Sequence, residues 1–344
     1  MVLGHRIRTG RGLALPTWLE RTGRALLFPF VLWGGGLTPR GARILRFPRP
    51  VPPPKETLAV ATWNIHFGCG SALSDGCACS EAEVRAHLDR IAEAVQEWDL
   101  DLVALQEVDR RADRTHRIDQ LRYLARGMGF GFAAWTTTWL ARWVPHPGLR
   151  PSEQIGRVWS GQAILSRYPL HRARRIALPQ PQAFTPLINA FYLHRAILSA
   201  EVEVGPRRAR ILDAHLDAFS GENRAQQVDR LLEVLSRSPP HTLLLGDLNA
   251  VPPEALHRAG FDDEPWTDMR GDRTIERLRA LPGWSEVGGP FRPEWKTFPA
   301  GAPNRRLDYI FLGPGFETLE GRIESPQPPP SDHLPVIARL RFGP

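Results

Sequence analysis

The chain has 344 residues, of which 42% are hydrophobic, and it carries a formal net charge of +7. This composition is typical of a globular protein with a sizeable core, and the absence of any repeat of fixed period excludes solenoids and propellers. The length allows one large α/β domain or two small ones.

The positive charge is concentrated near the N-terminus. Residues 1–56 contain ten basic and two acidic side chains, a net charge of +8, whereas the remaining residues carry −1. Of the 44 basic residues 42 are arginine, which we interpret as genomic base composition rather than selection for phosphate contacts. The charge of the whole chain is therefore no evidence for nucleic-acid binding.

Residues 1–56 are predicted to form a basic leader with an apolar helix and a proline-rich linker. Thr17 and Glu20 fit a capping box that begins a helix, and the apolar stretch 25–33 follows. Only 15 uncharged residues lie between the flanking arginines, fewer than the roughly 20 that span a bilayer. A signal peptide, a helix at the membrane interface and a helix packed on the domain all fit this pattern.

The linker sets the expected domain organisation. Five prolines between residues 48 and 54 are typical of a stiff linker, so we expect one catalytic domain at residues 57–344. Basic residues beside an apolar stretch favour contact with an anionic membrane surface. We therefore expect a monomer that is membrane-associated or exported, with a cytoplasmic location as the alternative.

All three cysteines lie in one short segment, which contains Cys69, Cys77 and Cys79. An odd number of cysteines in a single loop is not a disulfide framework. One disulfide, a zinc site that includes His66, and unreacted thiols all remain open.

From residue 57 onward the pattern alternates strands with helices. An amphipathic helix is predicted at 81–98 because Ser80 and Glu83 fit a capping box, and two more are predicted at 117–128 and 223–235. Strands are expected at 58–64, 102–106, 162–166, 196–204, 209–214, 242–247, 307–312 and 336–341. Hairpin-like pairs among them favour mixed sheets with helices on the outside.

Two long stretches fit no regular element. Residues 129–160 hold six tryptophan and phenylalanine side chains among few charges, and residues 177–194 are similarly apolar. Loops of this length tend to be functional in a compact domain. These two stretches either contact an amphipathic substrate beside a phosphate site or cover the hydrophobic core.

Polar side chains close four buried, strand-like runs, at 60–65, 102–107, 243–249 and 306–311. A fifth polar group stands near the C-terminus, where Ser331, Asp332 and His333 follow one another. Acidic and amide groups that converge at strand ends form a phosphate and metal site, so we expect these segments to meet.

The chemistry of these residues suggests separate roles. Glu107 and Asn64 are oxygen donors suited to a hard divalent ion, which neutralises a phosphate oxygen. Asp247 is the candidate base for the attacking water, and Asn249 can donate an amide N–H to phosphate or water. His215 and His333 are expected to act as donors that can be cationic near neutral pH.

Seven motifs in order resemble the endonuclease/exonuclease/phosphatase superfamily, and they extend over residues 60–336. They are Trp63-Asn64, Gln106-Glu107, the run 161–169, Asp213-Ala-His-Leu216, Gly246-Asp-Leu-Asn249, Arg306-Leu-Asp-Tyr-Ile310 and Ser331-Asp-His333. The resemblance implies a four-layer α/β/β/α sandwich of two mixed sheets and Mg²⁺- or Mn²⁺-dependent hydrolysis of a phosphoester. It also implies that Asp308 pairs with His333 and that Asp332 lies beside the metal.

Two departures from the superfamily pattern bear on the substrate. Relatives that cut DNA at abasic sites carry a tyrosine where this chain has His215, and often an acidic residue where it has His66. His215-Leu216 is followed by Arg224 and Gln227 at helical spacing. This pattern resembles the sphingomyelinase, phosphoinositide-phosphatase and deadenylase branches more than the abasic-site nucleases. We therefore expect a phosphodiesterase for a lipid-derived or other small phosphoester. A nuclease for DNA or RNA is the alternative, and a silent binding module is disfavoured because every expected polar position is filled.

Overall fold

The computed structural model describes residues 41–71, 79–147, 154–185, 189, 192–289 and 292–343. The predicted leader helix and its capping box lie outside these residues. Within the described ranges thirteen strands form two mixed sheets. None of the helices in these ranges has the length and apolar character needed to cross a membrane.

The first sheet has seven strands with a parallel pair near its centre. They are β1 (Ala42–Arg46), β2 (Thr57–Asn64), β3 (Leu102–Asp109), β4 (Phe132–Pro147), β5 (Gln154–Ser166), β12 (Phe316–Ile323) and β13 (Val336–Phe342). Their order is β1-β4-β5-β3-β2-β13-β12. Strands β2 and β3 run parallel with Asn64 opposite Gln106, so both end at the same edge.

The second sheet has six strands and, like the first, contains one parallel pair near its centre. They are β6 (Leu170–Ala177), β7 (Ala196–Val204), β8 (Arg207–His215), β9 (Thr242–Asp247), β10 (Ser285–Glu286) and β11 (Asp308–Leu312), in the order β10-β11-β9-β8-β7-β6. Strands β8 and β9 run parallel with His215 opposite Asp247. Strand β11 runs antiparallel to β9 and begins with Asp308 opposite Asp247.

Helices cover the outer face of each sheet. They are α1 (Glu81–Glu97) and α2 (Gln120–Gly127) on the first sheet, and α3 (Gly221–Ser236) and α4 (Thr274–Arg279) on the second. In β2, Val60 faces the other sheet while Trp63 packs against the helical layer, because successive strand side chains point to opposite faces. The predicted four-layer sandwich is confirmed.

The helix predictions are confirmed with one shifted boundary. Helix α1 begins with the predicted capping box, since the Ser80 hydroxyl accepts from the Glu83 N–H and the Glu83 carboxylate accepts from the Ser80 N–H. Helix α2 begins later than expected because Arg117 has a φ of 59°, a left-handed conformation that a helix cannot include. Asp119 caps it by accepting from the Arg122 N–H.

All eight predicted strands are present, but the interpretation of residues 129–160 was wrong. This segment is mostly the hairpin of β4 and β5, in which Ala134 pairs with Ile164. Ala133 packs toward the helices and Ala134 toward the second sheet, so both faces of β4 are buried here. Such a strand shows no alternation of apolar and polar residues, which is why the sequence pattern missed it. Strands β1, β6, β10 and β12 were missed as well.

The domain includes residues before the expected boundary at Thr57. Strand β1 pairs with the edge of β4, with Ala42 opposite Thr136. The Tyr168 hydroxyl donates to the carbonyl of Pro53 at 2.9 Å, which holds the proline-rich segment against the sheets. A catalytic fragment should therefore begin near Gly41 rather than at Thr57.

The cysteine segment is described in part. Cys69 is buried and disulfide-bonded, whereas Cys79 is a free thiol. Cys77 lies outside the described residues. A zinc ion held by all three thiols does not fit a disulfide at Cys69, because an oxidised sulfur is not a thiolate ligand.

Candidate active site

The eight residues singled out in the sequence meet at one edge of the sandwich, where β2, β3, β8 and β9 end and β11 begins. They are Asn64, Glu107, His215, Asp247, Asn249, Asp308, Asp332 and His333, and nearly all are buried. The two parallel pairs explain the convergence, because the carboxyl ends of parallel strands lie at the same edge of a sheet.

Asp247 is at the centre of the site. Its carboxylate accepts from the Asn64 amide at 3.0 Å and from the Asn249 backbone N–H at 2.9 Å. The Nε2 atoms of His215 and His333 lie 3.4 and 3.7 Å from it. Burial raises the pKa of Asp247, and although His333 opposes this, the shift persists. A carboxylate with a raised pKa can accept a proton near neutral pH.

Gly246 allows Asp247 to reach this position. A Cβ at residue 246 would lie 1.8 Å from the carbonyl oxygen of Ala214, so only glycine permits β9 to approach β8 this closely. Gly246 is thus required for packing, and Asp247, the residue after it, supplies the carboxylate of the site.

His333 and Asp308 form a buried pair. The Nδ1 atom of His333 lies 2.8 Å from the Asp308 carboxylate. Burial alone lowers the pKa of His333, but the charges of Asp308 and Asp247 outweigh it and raise the pKa above its usual value. His333 is therefore a cation whose Nε2–H faces Asp247, and Asp308 fixes its orientation.

Glu107 reaches the site through a strained backbone. Its φ is 57° and the ladder between β3 and β5 shifts register between Leu105 and Val108, so Glu107 lies on a β-bulge. Its side chain remains 28% exposed. Burial opposes ionisation, but the charges of His66, Arg195, Arg114 and His333 prevail and lower the pKa of Glu107. The result is an ionised carboxylate that is open to the solvent side.

Asn64 acts here as a donor. Its amide nitrogen lies 3.0 Å from Asp247 and 3.4 Å from Glu107, while its oxygen accepts from the His66 backbone N–H. It was expected to offer an oxygen to a metal ion. In this structure the amide nitrogen orients the two carboxylates, and the role of Asn64 at a metal ion stays a prediction.

Asp332 and Asn249 complete the set. The Asp332 carboxylate lies 3.6 Å from Nδ1 of His66, and burial, reinforced by the nearby charge of Glu107, raises the pKa of Asp332. Asn249 has a φ of 49° and donates its side-chain N–H to the carbonyl of Leu216. Its backbone N–H holds Asp247, so Asn249 fixes the position of the central carboxylate.

His215 differs from the expectation that it can be cationic. Burial lowers the pKa of His215 well below its usual value, and the charges of Arg195 and His333 lower it further. A neutral His215 lies 3.4 Å from Asp247 and 3.9 Å from Glu107, close enough to donate to a ligand between them.

The structure adds two residues to the set predicted from the sequence. His66 contacts Asp332, and its place two residues after Asn64 was a usable signal. Arg195 is buried and its charge acts on both Glu107 and His215, but nothing distinguishes it in a sequence with 42 arginines.

Two sets of side chains at the site are candidates for holding a divalent cation. Ligand atoms of Asp247, Asp308 and His333 lie within 4.8 Å of one another and could hold a metal ion. However, Asp308 and His333 already bond to each other, and a protonated imidazole offers no lone pair. Glu107 and Asp332 are hard carboxylates whose charged contacts in the described residues are with histidines at 3.6 Å or more, so they fit Mg²⁺ or Mn²⁺ better.

A family model agrees with the geometry over most of the chain. The model described as the Endonuclease/Exonuclease/phosphatase family matches residues 61–333. The chain belongs to this family. Family members are hydrolases that act on phosphoester bonds and generally depend on divalent metal ions. No curated protein matches the sequence significantly.

Solved structures of this family share the fold. An endonuclease/exonuclease/phosphatase from Beutenbergia cavernae is 21% identical with a TM-score of 0.57, and the match covers 84% of this chain and 72% of that one. The human Nocturnin catalytic domain with bound sulfate anion is 19% identical with a TM-score of 0.56, covering 88% and 97%. TDP2 from D. rerio, complexed with a single-strand DNA product, is 16% identical with a TM-score of 0.53, covering 84% and 100%.

Proposed function

We propose that the protein is a Mg²⁺- or Mn²⁺-dependent phosphodiesterase that acts on a lipid-derived or other small phosphoester. The observation that carries this proposal is the position of Asp247 between His215 and His333, with Glu107 on the solvent side. A base, a cationic donor and an ionised carboxylate close to one another are the groups that phosphoester hydrolysis requires.

In this proposal Asp247 orients a water molecule and takes its proton as the water oxygen attacks phosphorus. The ester P–O bond breaks, and its electron pair leaves with the alcohol oxygen. His333 donates its Nε2–H to a phosphoryl oxygen on which charge grows, while Asp308 holds the imidazole in place. The Asn249 backbone N–H holds the Asp247 carboxylate in position, and His215 lies beside it where it can donate to the substrate.

Glu107 and Asp332 would hold the divalent ion, with Asn64 orienting Glu107. When bound, the ion neutralises phosphate charge and stabilises the leaving alkoxide.

Exposed apolar side chains support an amphipathic substrate. Phe219 is 63% exposed, Leu256 87% and Trp266 53%. Phe219 follows β8, and the other two lie between β9 and α4. The segments that leave the site edge thus carry three of the five large hydrophobic side chains that are exposed in the described ranges. Exposed apolar side chains on these segments favour a lipid or membrane surface over a nucleic-acid backbone.

The basic leader supports an anionic membrane as partner, with membrane association or export as the location. Basic residues near a bilayer contribute about 1 kcal/mol each to binding anionic lipid. Full-length protein should cosediment with phosphatidylserine vesicles, and a full-length variant with Arg6, Arg8 and Arg11 replaced by serine should do so less. Equal cosedimentation of the two proteins would remove this support.

A nuclease is the second candidate function, since TDP2 of the same fold is complexed with a DNA product. A panel with Mg²⁺ or EDTA separates the candidates, using sphingomyelin, phosphoinositides, a chromogenic phosphodiester, plasmid DNA and RNA. We expect EDTA-sensitive cleavage of a lipid or of the chromogenic diester. Efficient cutting of DNA that falls steeply with salt, without lipid hydrolysis, would select the nuclease.

A further inference from the structure

Arg195 is a buried guanidinium that lacks a partner within the described ranges. It is 5% exposed, and its Nε–H is buried with no acceptor. Other buried arginines have carboxylate partners: Arg224 pairs with Asp272 at 2.6 Å and Arg306 with Glu286 at 2.7 Å. Burying a charge without compensation is costly, so the position of Arg195 requires a physical reason.

Arg195 lies at the edge of the active site. It immediately precedes β7, and the register of Ile197 opposite Ala214 brings the start of β7 beside the end of β8, where His215 lies. The adjacent His194 N–H donates to the carbonyl of Thr138, which joins this segment to β4 of the other sheet. The positive charge of Arg195 lowers the pKa of both Glu107 and His215, which agrees with the position that the strand register gives it.

The nearby carboxylate of Asp217 is already fully used. One oxygen accepts from the backbone N–H groups of Phe219 and Ser220, both at 2.8 Å. The other accepts from the Tyr192 hydroxyl at 2.9 Å and from the Asn223 amide at 2.8 Å. With four donors on two oxygens, Asp217 has no capacity left to pair with Arg195.

We infer that Arg195 binds the non-bridging oxygens of the substrate phosphoryl group. This inference rests on the proposed phosphoester hydrolysis and assigns a phosphate-binding residue to it. A guanidinium presents a planar fork of N–H donors that matches two phosphate oxygens, and its charge persists at every working pH. The anion of the ligand then supplies a hydrogen-bonded partner that the described residues do not offer to the Nε–H of Arg195.

The test uses thermal unfolding of the full-length protein in EDTA with and without inorganic phosphate. Phosphate should raise the Tm of the wild type, because a ligand that binds the folded state stabilises it. Arg195→Gln should lose this response and Arg195→Lys should keep part of it. Any general salting effect of phosphate is common to all variants, so the difference between variants isolates the site.

Arg279→Gln is the matched control. Arg279 is also largely buried, but it is paired with Glu254 and Glu286. Its loss should lower the Tm without phosphate and leave the phosphate response intact. Arg195→Gln should show the opposite pattern, with an unchanged or higher Tm in the absence of phosphate. A marked fall in that Tm, or failure of this variant to fold, would make Arg195 a structural residue and overturn the inference.

Steady-state kinetics on a soluble phosphodiester provide the second readout. Charge-assisted hydrogen bonds of the usual strength predict that Arg195→Gln raises KM roughly 10- to 100-fold, with a smaller effect for Arg195→Lys. An active enzyme with unchanged KM and phosphate response in Arg195→Gln contradicts the inference alone. A phosphate response that depends on Arg195, in a protein that hydrolyses no diester, contradicts the proposed function instead.

Discussion

The two sheets contribute to the active site in different ways. The second sheet delivers Asp247 and Asp308 on regular strand ends, and their side chains are 1% and 0% exposed. The first sheet delivers Glu107 on a bulge with a positive φ, and its side chain is 28% exposed. The carboxylates from the second sheet are therefore buried on regular backbone, whereas the Glu107 carboxylate from the first sheet is partly exposed on strained backbone.

This difference indicates a division of labour. A buried carboxylate held by four neighbours has a shifted pKa and a fixed position, which suits proton transfer. An exposed, ionised carboxylate on a bulge suits a cation that arrives from solvent and keeps several waters. The strain at Glu107 is consistent with a functional position, because the fold would otherwise favour a regular ladder.

The largest effect is expected from Asp247→Asn, which keeps the shape but removes the base. Turnover should fall roughly 10²-fold or more, while substrate binding survives. Asp213→Asn is the matched control: Asp213 is buried in the same sheet, burial raises its pKa well above the usual value, and it has no role in the proposed reaction. Near-normal kcat in Asp247→Asn would assign proton transfer to another group.

Asp308→Asn tests the orienting pair on the same sheet. Loss of the fixed imidazole should reduce kcat by roughly 10- to 100-fold, within the usual range for acid–base groups. Asp308 raises the pKa of His333, so its removal lowers that pKa. The alkaline limb of the pH–rate profile should then move to lower pH. An unmoved limb would show that His333 does not act as the cationic donor.

Glu107→Gln, in the first sheet, is expected to lower turnover less than these substitutions when the metal is saturating. The metal concentration for half-maximal activity should rise roughly 10-fold or more, and excess Mg²⁺ should restore much of the turnover. Activity measured across a Mg²⁺ titration gives both quantities. If excess metal restores nothing, Glu107 contributes to the chemical step and the division between the sheets fails.

The smallest effect concerns the apolar segments beyond both sheets. Phe219→Ser combined with Leu256→Ser should raise KM a few-fold on vesicle-bound substrate and leave a soluble diester unaffected, because both side chains are exposed. Leu319→Ser, on the edge strand β12, is the control for loss of an exposed hydrophobic side chain. Equal KM changes on both substrates would argue against a lipid surface.

Short-range patterns predicted which polar residues converge at the site edge. Strand ends such as 243–249 combine a buried apolar run with polar residues, and the parallel pairing then brings them together. The sequence could not reveal that Asn64 turns its N–H groups toward the carboxylates, or that burial keeps His215 neutral. Both properties depend on neighbours that are distant in the chain.

Long-range pairing explains what the sequence concealed elsewhere. Strand β4 is buried on both faces at Ala133 and Ala134, so it lacks alternation, and β1 joins the sheet by pairing with β4, which is distant in the chain. Arg195 is one of 42 arginines in the sequence, and only the structure reveals that its buried Nε–H has no acceptor among the described residues.

Mn²⁺ binding followed by electron paramagnetic resonance tests the division between the sheets most directly. A metal ion held by Glu107 and Asp332 predicts that Asp247→Asn binds Mn²⁺ with nearly wild-type affinity, while Glu107→Gln binds it at least about 10-fold more weakly. The opposite result, with binding lost in Asp247→Asn and kept in Glu107→Gln, would place the ion among Asp247, Asp308 and His333 and contradict the account.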